Sequence, residues 1–329
     1  MRQVIVSTKG TRQWQGIPGI ECAANGRLWC TFYSGGPKEP DPANLILLTT
    51  SGDDGETWSE PVVMADPPGA TRAYDPCLWH DPDGRLWLIY NRANLEKREY
   101  SVWARVAENA QAADAVWSAP RELSIDAPFV VRLNKPLAFE SGYWVMPVTW
   151  GRTAPDDLWF PGGAELQGVA ISGDKGGSWT PFGAVEAPRW ALENMIVDLR
   201  DGRLWMLIRS GGGTIWQSFS EDGGVTWSAG SPTAIVNPGS RFFVRRLMSG
   251  RLLLINSPEP DARRGLVASL SDLDDEMTFI GRLELDSREP VSYPDAVQAS
   301  DGRIFAVHDW ARGGVGEIRF SVFSEDEIV

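Results

Sequence analysis

The stretch Asp83-Gly84-Arg85-Leu86-Trp87 decides the fold, because it recurs. The same theme reads Asn25-Gly26-Arg27-Leu28-Trp29 and Asp201-Gly202-Arg203-Leu204-Trp205. It returns as Ser249-Gly250-Arg251-Leu252-Leu253 and Asp301-Gly302-Arg303-Ile304-Phe305, with Ser141-Gly142-Tyr143-Trp144 as a weaker copy. Successive glycines are 58, 58, 60, 48 and 52 residues apart. Asn-Gly or Asp-Gly between apolar runs is a strong hairpin signal, because both central positions of a type I′ turn need φ > 0. Six hairpins at near-constant spacing predict six similar β units.

A second motif sits between the hairpins, Ser-x-Asp-x-Gly-x-Ser/Thr-Trp. It occurs as Ser51 to Trp58, Ser172 to Trp179 and Ser220 to Trp227, with a decayed copy from Asp272 to Phe279. Asp114-Ala115-Val116-Trp117 reads as a further remnant. This is a second turn. Its Asp and Ser/Thr side chains satisfy loop amides, its Gly supplies the unusual φ, and its Trp buries a ring between units. Two hairpins make four strands per unit. Six such units predict an all-β, six-bladed β-propeller, which manages its sheet edges by radial repetition. The last unit ends after a third strand, Glu317 to Val322, so the N-terminal Gln3-Val4-Ile5-Val6 is expected to supply its fourth. That closure makes residues 1–329 one domain.

Composition agrees. The chain of 329 residues carries 31 Lys+Arg against 44 Asp+Glu, a net charge of −13. Such an acidic balance argues against nucleic acid or an anionic membrane surface as partner. A hydrophobic content of 43% supports a large core and excludes general disorder. No apolar run approaches the ~18 residues of a membrane span. The opening MRQVIVSTKG lacks the apolar region of a signal peptide, so a cytoplasmic location is expected. Three cysteines make no disulfide framework. No His/Cys cluster has metal-ligand spacing, so neither a catalytic metal nor a cofactor is expected. The 34 Gly and 16 Trp match the turns and wedges of the repeat.

In each blade the first strand lines the central channel and runs down into the Gly-Arg hairpin, so it begins at the top mouth. The loop between second and third strands also returns to the top. Binding and catalysis favour such loops on a rigid scaffold. The six strand starts are Gly16-Ile17-Pro18, Tyr74-Asp75-Pro76, Asn134-Lys135-Pro136, Glu193-Asn194-Met195, Ser240-Arg241-Phe242 and Ser292-Tyr293-Pro294-Asp295. Five of them bring a charged or phenolic group to one ring. The top loops add Gly35 to Asp41 with Glu39, then Asn91-Arg92, Arg209 to Gly213 and His308 to Arg312. The aromatic stretch from Trp150 to Gly163 would serve as a wall for a sugar ring. His80 falls near a bottom hairpin and reads as structural.

The three intact boxes are Asp boxes, or BNR repeats. With the sixfold period they make nearly the whole chain resemble the sialidase (neuraminidase) superfamily, in particular its bacterial BNR-repeat members. The resemblance implies a retaining exo-glycosidase with a tyrosine nucleophile, because a carboxylate would be repelled by the carboxylate on the sugar's anomeric carbon. A tyrosine ionises near ~10 and needs a base and cations beside it. By position Tyr293 matches the nucleophile and Glu193 its base. Arg209 and Arg241 match two arms of an arginine clamp for the carboxylate, and Asp41, or Glu39 beside it, falls on the acid/base loop. The family has an arginine immediately before Ile-Pro in blade one, where this chain has Gly16. Arg12 and Lys135 are the candidates to replace it. Asp75 and Lys135 are additions to the pattern, and Asp295, Arg92 and His308 complete the expected binding set.

The expected substrate is an oligosaccharide or glycoside with a terminal acidic sugar. Three other readings use the same residues. Asp75 and Glu193 would serve as paired carboxylates on a neutral or uronic sugar. Tyr293 would be the base of a polysaccharide lyase. The mouth would bind carbohydrate without catalysis.

Overall fold

The computed structural model describes residues 1–152, 166–188 and 191–329. Their strands form six antiparallel sheets set radially as a six-bladed β-propeller. From the channel outward, blade one runs Gln15–Cys22, Leu28–Ser34, Leu45–Ser51 and Val62–Ala65. The innermost strands of blades two to six are Thr71–His80, Phe129–Leu133, Leu192–Asp198, Phe243–Arg246 and Val291–Gln298. Blade three carries an extra outer segment, Ser124–Ile125, parallel to Ser178–Val185.

Closure occurs as the sequence predicts. Arg2–Thr8 pairs antiparallel with Glu317–Phe323, placing Gln3 opposite Ser321 and Val4 opposite Phe320. Gln15 Nε2 donates to Ser7 O at 3.1 Å and to Gly316 O at 2.7 Å, which stitches blade one to the seam.

The six Gly hairpins are present, but their turns are not type I′. Each glycine has φ between +81° and +96°, while the residue before it keeps negative φ. In the first hairpin Ala23 N–H donates to Arg27 O and Gly26 N–H to Ala23 O, both at 2.8 Å. This is a type I turn followed by a left-handed glycine, the usual three-residue hairpin loop. Asn and Asp recur for a different reason than φ. Asp201 Oδ1 accepts the Arg203 N–H at 3.0 Å, and Asp301 Oδ1 accepts that of Arg303 at 3.0 Å. Those carboxylates also hold the arginine of the motif, with Arg203 Nη2 to Asp201 Oδ2 at 2.7 Å.

The Asp boxes cap the turns from third to fourth strand. In the first, Ser51 Oγ donates to Asp53 Oδ1 at 2.7 Å and accepts the Gly55 N–H at 2.9 Å. Asp53 also takes the Thr57 N–H and hydroxyl at 3.0 and 2.6 Å. These bonds favour the anion and hold Asp53 down to about 2. The other two boxes repeat the pattern at Asp174 and Asp222. The box glycine has a packing role too. A Cβ on Gly55 would lie 2.5 Å from the Phe320 ring of blade six. Trp58 meets that ring edge-on at 5.6 Å. Between blades two and three, Trp79, Trp87, Trp144 and Trp179 form one aromatic cluster. These five tryptophans therefore serve interblade packing.

Candidate active site at the mouth of the channel

Four of the six innermost strands share one distortion. Their register slips between Gly16 and Gly19, Tyr74 and Cys77, Leu192 and Met195, and Ser292 and Asp295. At each slip a non-glycine residue takes positive φ: Ile17 at +58°, Asp75 at +46°, Glu193 at +52° and Tyr293 at +55°. Each costs roughly 1–3 kcal/mol, so the ring around them must hold them there. A bulge re-aims a side chain. Here three bulges deliver Asp75, Glu193 and Tyr293 to one place. Proline follows three of the four bulged residues, at Pro18, Pro76 and Pro294. It lacks the N–H of a regular ladder and so marks the bulge in sequence.

Arg209 joins the two residues matched as a nucleophilic pair. Its Nη1 lies 2.6 Å from Glu193 Oε2 and donates to Tyr293 Oη at 3.1 Å, while Nε donates to Gly239 O at 2.7 Å. All three side chains are buried. Burial works to raise the Glu193 carboxyl, but Arg209, Arg241 and Arg132 outweigh it and hold it below the usual carboxylate range. Asp75 goes the other way. Burial, reinforced by Glu193 and Glu39 and opposed by Arg132, pushes it up to about 6. Arg132 Nε is 2.9 Å from Asp75 Oδ2, yet that oxygen has no aligned hydrogen-bond donor. Two carboxylates with divergent titration in one cleft suit an acid and a base.

Cations surround the phenol. The guanidinium carbons of Arg312, Arg263 and Arg209 lie 4.9, 5.5 and 6.0 Å from the Tyr293 ring centre. Arg312 Nη1 donates to Glu39 Oε1 at 2.8 Å. Arg263 has no carboxylate partner among the described residues, and burial, helped by the like charges of Arg209 and Arg312, lowers its hold on a proton. On the blade-two side Arg72 lies flat on Tyr74 at 3.8 Å, buried, with Nε unpartnered. The mouth of this acidic protein therefore has cations to spare.

Several expected residues lie elsewhere. Lys135 and Asp295 are in the channel below, paired at 3.0 Å, with Lys135 also on Ile20 O and Glu21 Oε1. Arg241 donates to Asn134 Oδ1 behind Glu193 and acts on that carboxylate without reaching Tyr293. Asp41 accepts the Ala43 N–H at 2.9 Å inside its own loop, leaving Glu39 as the blade-one acid at the mouth. Arg92 stacks on Trp103 at 3.7 Å. His308 is buried in mid-strand against Asp286, 2.9 Å away. Arg12 bonds Gln15 Oε1 and Thr8 O at 2.8 and 2.9 Å and does not replace an arginine at position 16. Trp150 turns inward to Gly183 O at 3.0 Å, and the aromatic stretch beyond residue 152 lies outside the described residues.

Arg132 and Arg263 were not singled out by sequence, and Arg312 was named only as the end of the blade-six top loop, without a role. Arg263 sits in the blade-five loop between second and third strands, so the top-loop rule reaches it. Arg132 escapes because blade three begins its inner strand at Phe129, before the Asn134 expected from sequence.

Comparison with known proteins agrees with this architecture. A family model described as a BNR repeat-like domain matches residues 26–306. No curated protein matches the sequence. Among solved structures, the Hadza microbial sialidase Hz136 superposes with TM-score 0.79 at 17% identity, covering 98% of this chain and 68% of that one. A Dyadobacter fermentans protein of unknown function gives 0.77 at 18%, covering 98% and 97%. The intramolecular trans-sialidase of Ruminococcus gnavus, in complex with oseltamivir carboxylate, gives 0.76 at 15%, covering 99% and 97%. At these identities the likeness is one of fold. With the family match covering most of its length, the chain belongs to the BNR repeat-like domain family, and its fold is like that of the sialidases above.

Proposed function

We propose that the protein is a retaining exo-glycosidase for a terminal acidic sugar. The observation that carries this reading is the surroundings of Tyr293. A buried phenol sits among three arginines, one of which, Arg263, has no ion-paired carboxylate among the described residues. An anion on the sugar beside the reacting carbon supplies the missing charge, and charge-assisted bonds to arginine orient it.

The chemistry follows from the same groups. Tyr293 Oη forms a bond to the anomeric carbon as the glycosidic C–O bond breaks. Its proton passes to Glu193, which meets it at Arg209 Nη1. Asp75, partly protonated near neutrality, gives its proton to the leaving oxygen. Water then attacks the tyrosyl-sugar bond with Asp75 as base, Tyr293 recovers its proton, and the configuration is retained. Arg209 and Arg263 hold the sugar's anion throughout.

A panel of aryl glycosides, including sialosides and uronides, tests the reading. The expected result is release of aglycone from an acidic glycoside, without an unsaturated product absorbing in the near ultraviolet. An unsaturated uronate would make Tyr293 a lyase base. Turnover of neutral glycosides alone would remove the acidic substrate. Glycan binding without any turnover would leave a carbohydrate-binding propeller.

A further inference from the structure

Gly16 stands where the family pattern has an arginine, and the structure shows what fills the space. A Cβ on Gly16 would lie 2.3 Å from Arg312 Cδ, 2.6 Å from Arg312 Cγ and 2.9 Å from Asp309 Oδ2. Any side chain there would force Arg312 or Asp309 to move. The volume in which a blade-one side chain would leave its backbone is occupied by the stem of Arg312, which enters from blade six.

The turn after Ile304–Trp310 directs it there. Ala311 has φ of +49°, its N–H donates to Pro290 O at 3.0 Å, and its carbonyl accepts the Gly314 and Gly316 N–H groups at 2.8 Å. Asp309 joins the parts. Its Oδ2 accepts the Ile17 N–H at 2.8 Å and lies 3.9 Å from Arg312 Nε. Its Oδ1 accepts the Ser292 hydroxyl at 2.7 Å, one residue before Tyr293. One buried carboxylate thus ties together the blade-one bulge, the incoming arginine and the strand that carries the phenol. Arg312 is also the arginine nearest the Tyr293 ring. Its bond to Glu39 uses Nη1, and a guanidinium has five N–H donors.

We propose that Arg312 is the third arm of the anion clamp, moved from blade one to blade six, with Gly16 required because an arginine at either position excludes one at the other. The ligand half of this proposal rests on the acidic-sugar reading. The packing half does not.

A reciprocal exchange tests both halves, using Arg312→Gly, Arg312→Lys, Gly16→Ala, Gly16→Arg and the doubles Gly16→Ala/Arg312→Gly and Gly16→Arg/Arg312→Gly. Calorimetry would measure the affinity of each for oseltamivir carboxylate, with its ethyl ester as the uncharged control. Thermal unfolding would give each melting temperature. The wild type should prefer the carboxylate. Arg312→Gly should weaken carboxylate binding by roughly 10- to 100-fold, the worth of one or two charged hydrogen bonds, with little change for the ester. Arg312→Lys should recover only part of the loss, because it lacks the planar fork. Gly16→Arg/Arg312→Gly should bind the carboxylate better than either single variant. Gly16→Ala should lower the melting temperature when Arg312 is present and much less when it is Gly, which reads the shared volume even if Gly16→Arg does not fold. Undiminished carboxylate binding by Arg312→Gly would overturn the relocated clamp and leave the acidic-sugar reading standing. Equal penalties for Gly16→Ala in both backgrounds would overturn the exchange of volumes. A wild type that bound the ester as tightly as the carboxylate would end both the clamp and the acidic-sugar reading.

Discussion

The channel of this propeller holds two clusters of buried charge, and they are built differently. In the lower one Lys135 uses all three donors, on Ile20 O at 2.5 Å, Glu21 Oε1 at 2.8 Å and Asp295 Oδ2 at 3.0 Å. Glu21 also faces His80 at 3.4 Å and Arg245 at 3.6 Å. Burial would raise its carboxyl, but Lys135 and these neighbours hold it down to about 2. In the upper one Arg263 has no carboxylate partner among the described residues, whereas Lys135 and Arg245 below each face one; single buried atoms without an aligned partner, Asp75 Oδ2 above and Asp295 Oδ1 below, occur in both. Buried charge is costly unless paired. Where the protein closes its own pairs, the cluster serves the fold. Where it leaves cations over, a ligand is the missing partner.

The largest expected effect is at the mouth. Tyr293→Phe should cut turnover of a responsive aryl glycoside by orders of magnitude while the melting temperature stays near that of the wild type. A variant that keeps full turnover would erase the distinction between the clusters.

Asp75→Asn comes next. Loss of a general acid costs roughly 10²–10⁴-fold in rate. Asp75 must be protonated to donate, and its carboxyl is raised to about 6. Activity of the wild type should therefore fall as pH rises through that value, and the Asn variant should lose this limb. An unchanged pH profile would move the acid role to Glu39.

Lys135→Met probes the lower cluster. It should cost about 3–5 kcal/mol in a chemical denaturation experiment, because Glu21 and Asp295 are left buried without their cation. The folded fraction should turn over substrate as the wild type does. A selective loss of activity without loss of stability would show that the lower charges also take part in the reaction.

Legibility in sequence followed the range of the interaction. Blade number, box turns and the closing strand were readable because each is a local pattern repeated at a fixed period. The hairpins were readable but their turn type was not. Asp201 and Asp301 are selected by the N–H groups they accept, not by their own φ. Glu193, Tyr293, Asp75 and Glu39 were placed at the mouth by motif position, and the structure gathers them there. Lys135, Asp295 and Arg241 were adjacent in sequence to true mouth positions but point elsewhere. For Asp295 the bulge at Tyr293 reverses the side on which the next residues fall, whereas Lys135 and Arg241 lie just outside the strands, where alternation sets no side.

From sequence alone came six blades, the N-terminal strand as the closure of the last, and a tyrosine and a glutamate at the mouth of one channel. These depend on turns, alternation and repeat length, which are written locally. Only the tertiary structure decided which arginines surround the phenol and which charges close on themselves. Arg209, Arg263 and Arg312 come from three blades, and Gly16 and Arg312 are neighbours only because the ring closes. An arginine spans such gaps with a long flexible stem, and no periodicity in the chain records where that stem ends.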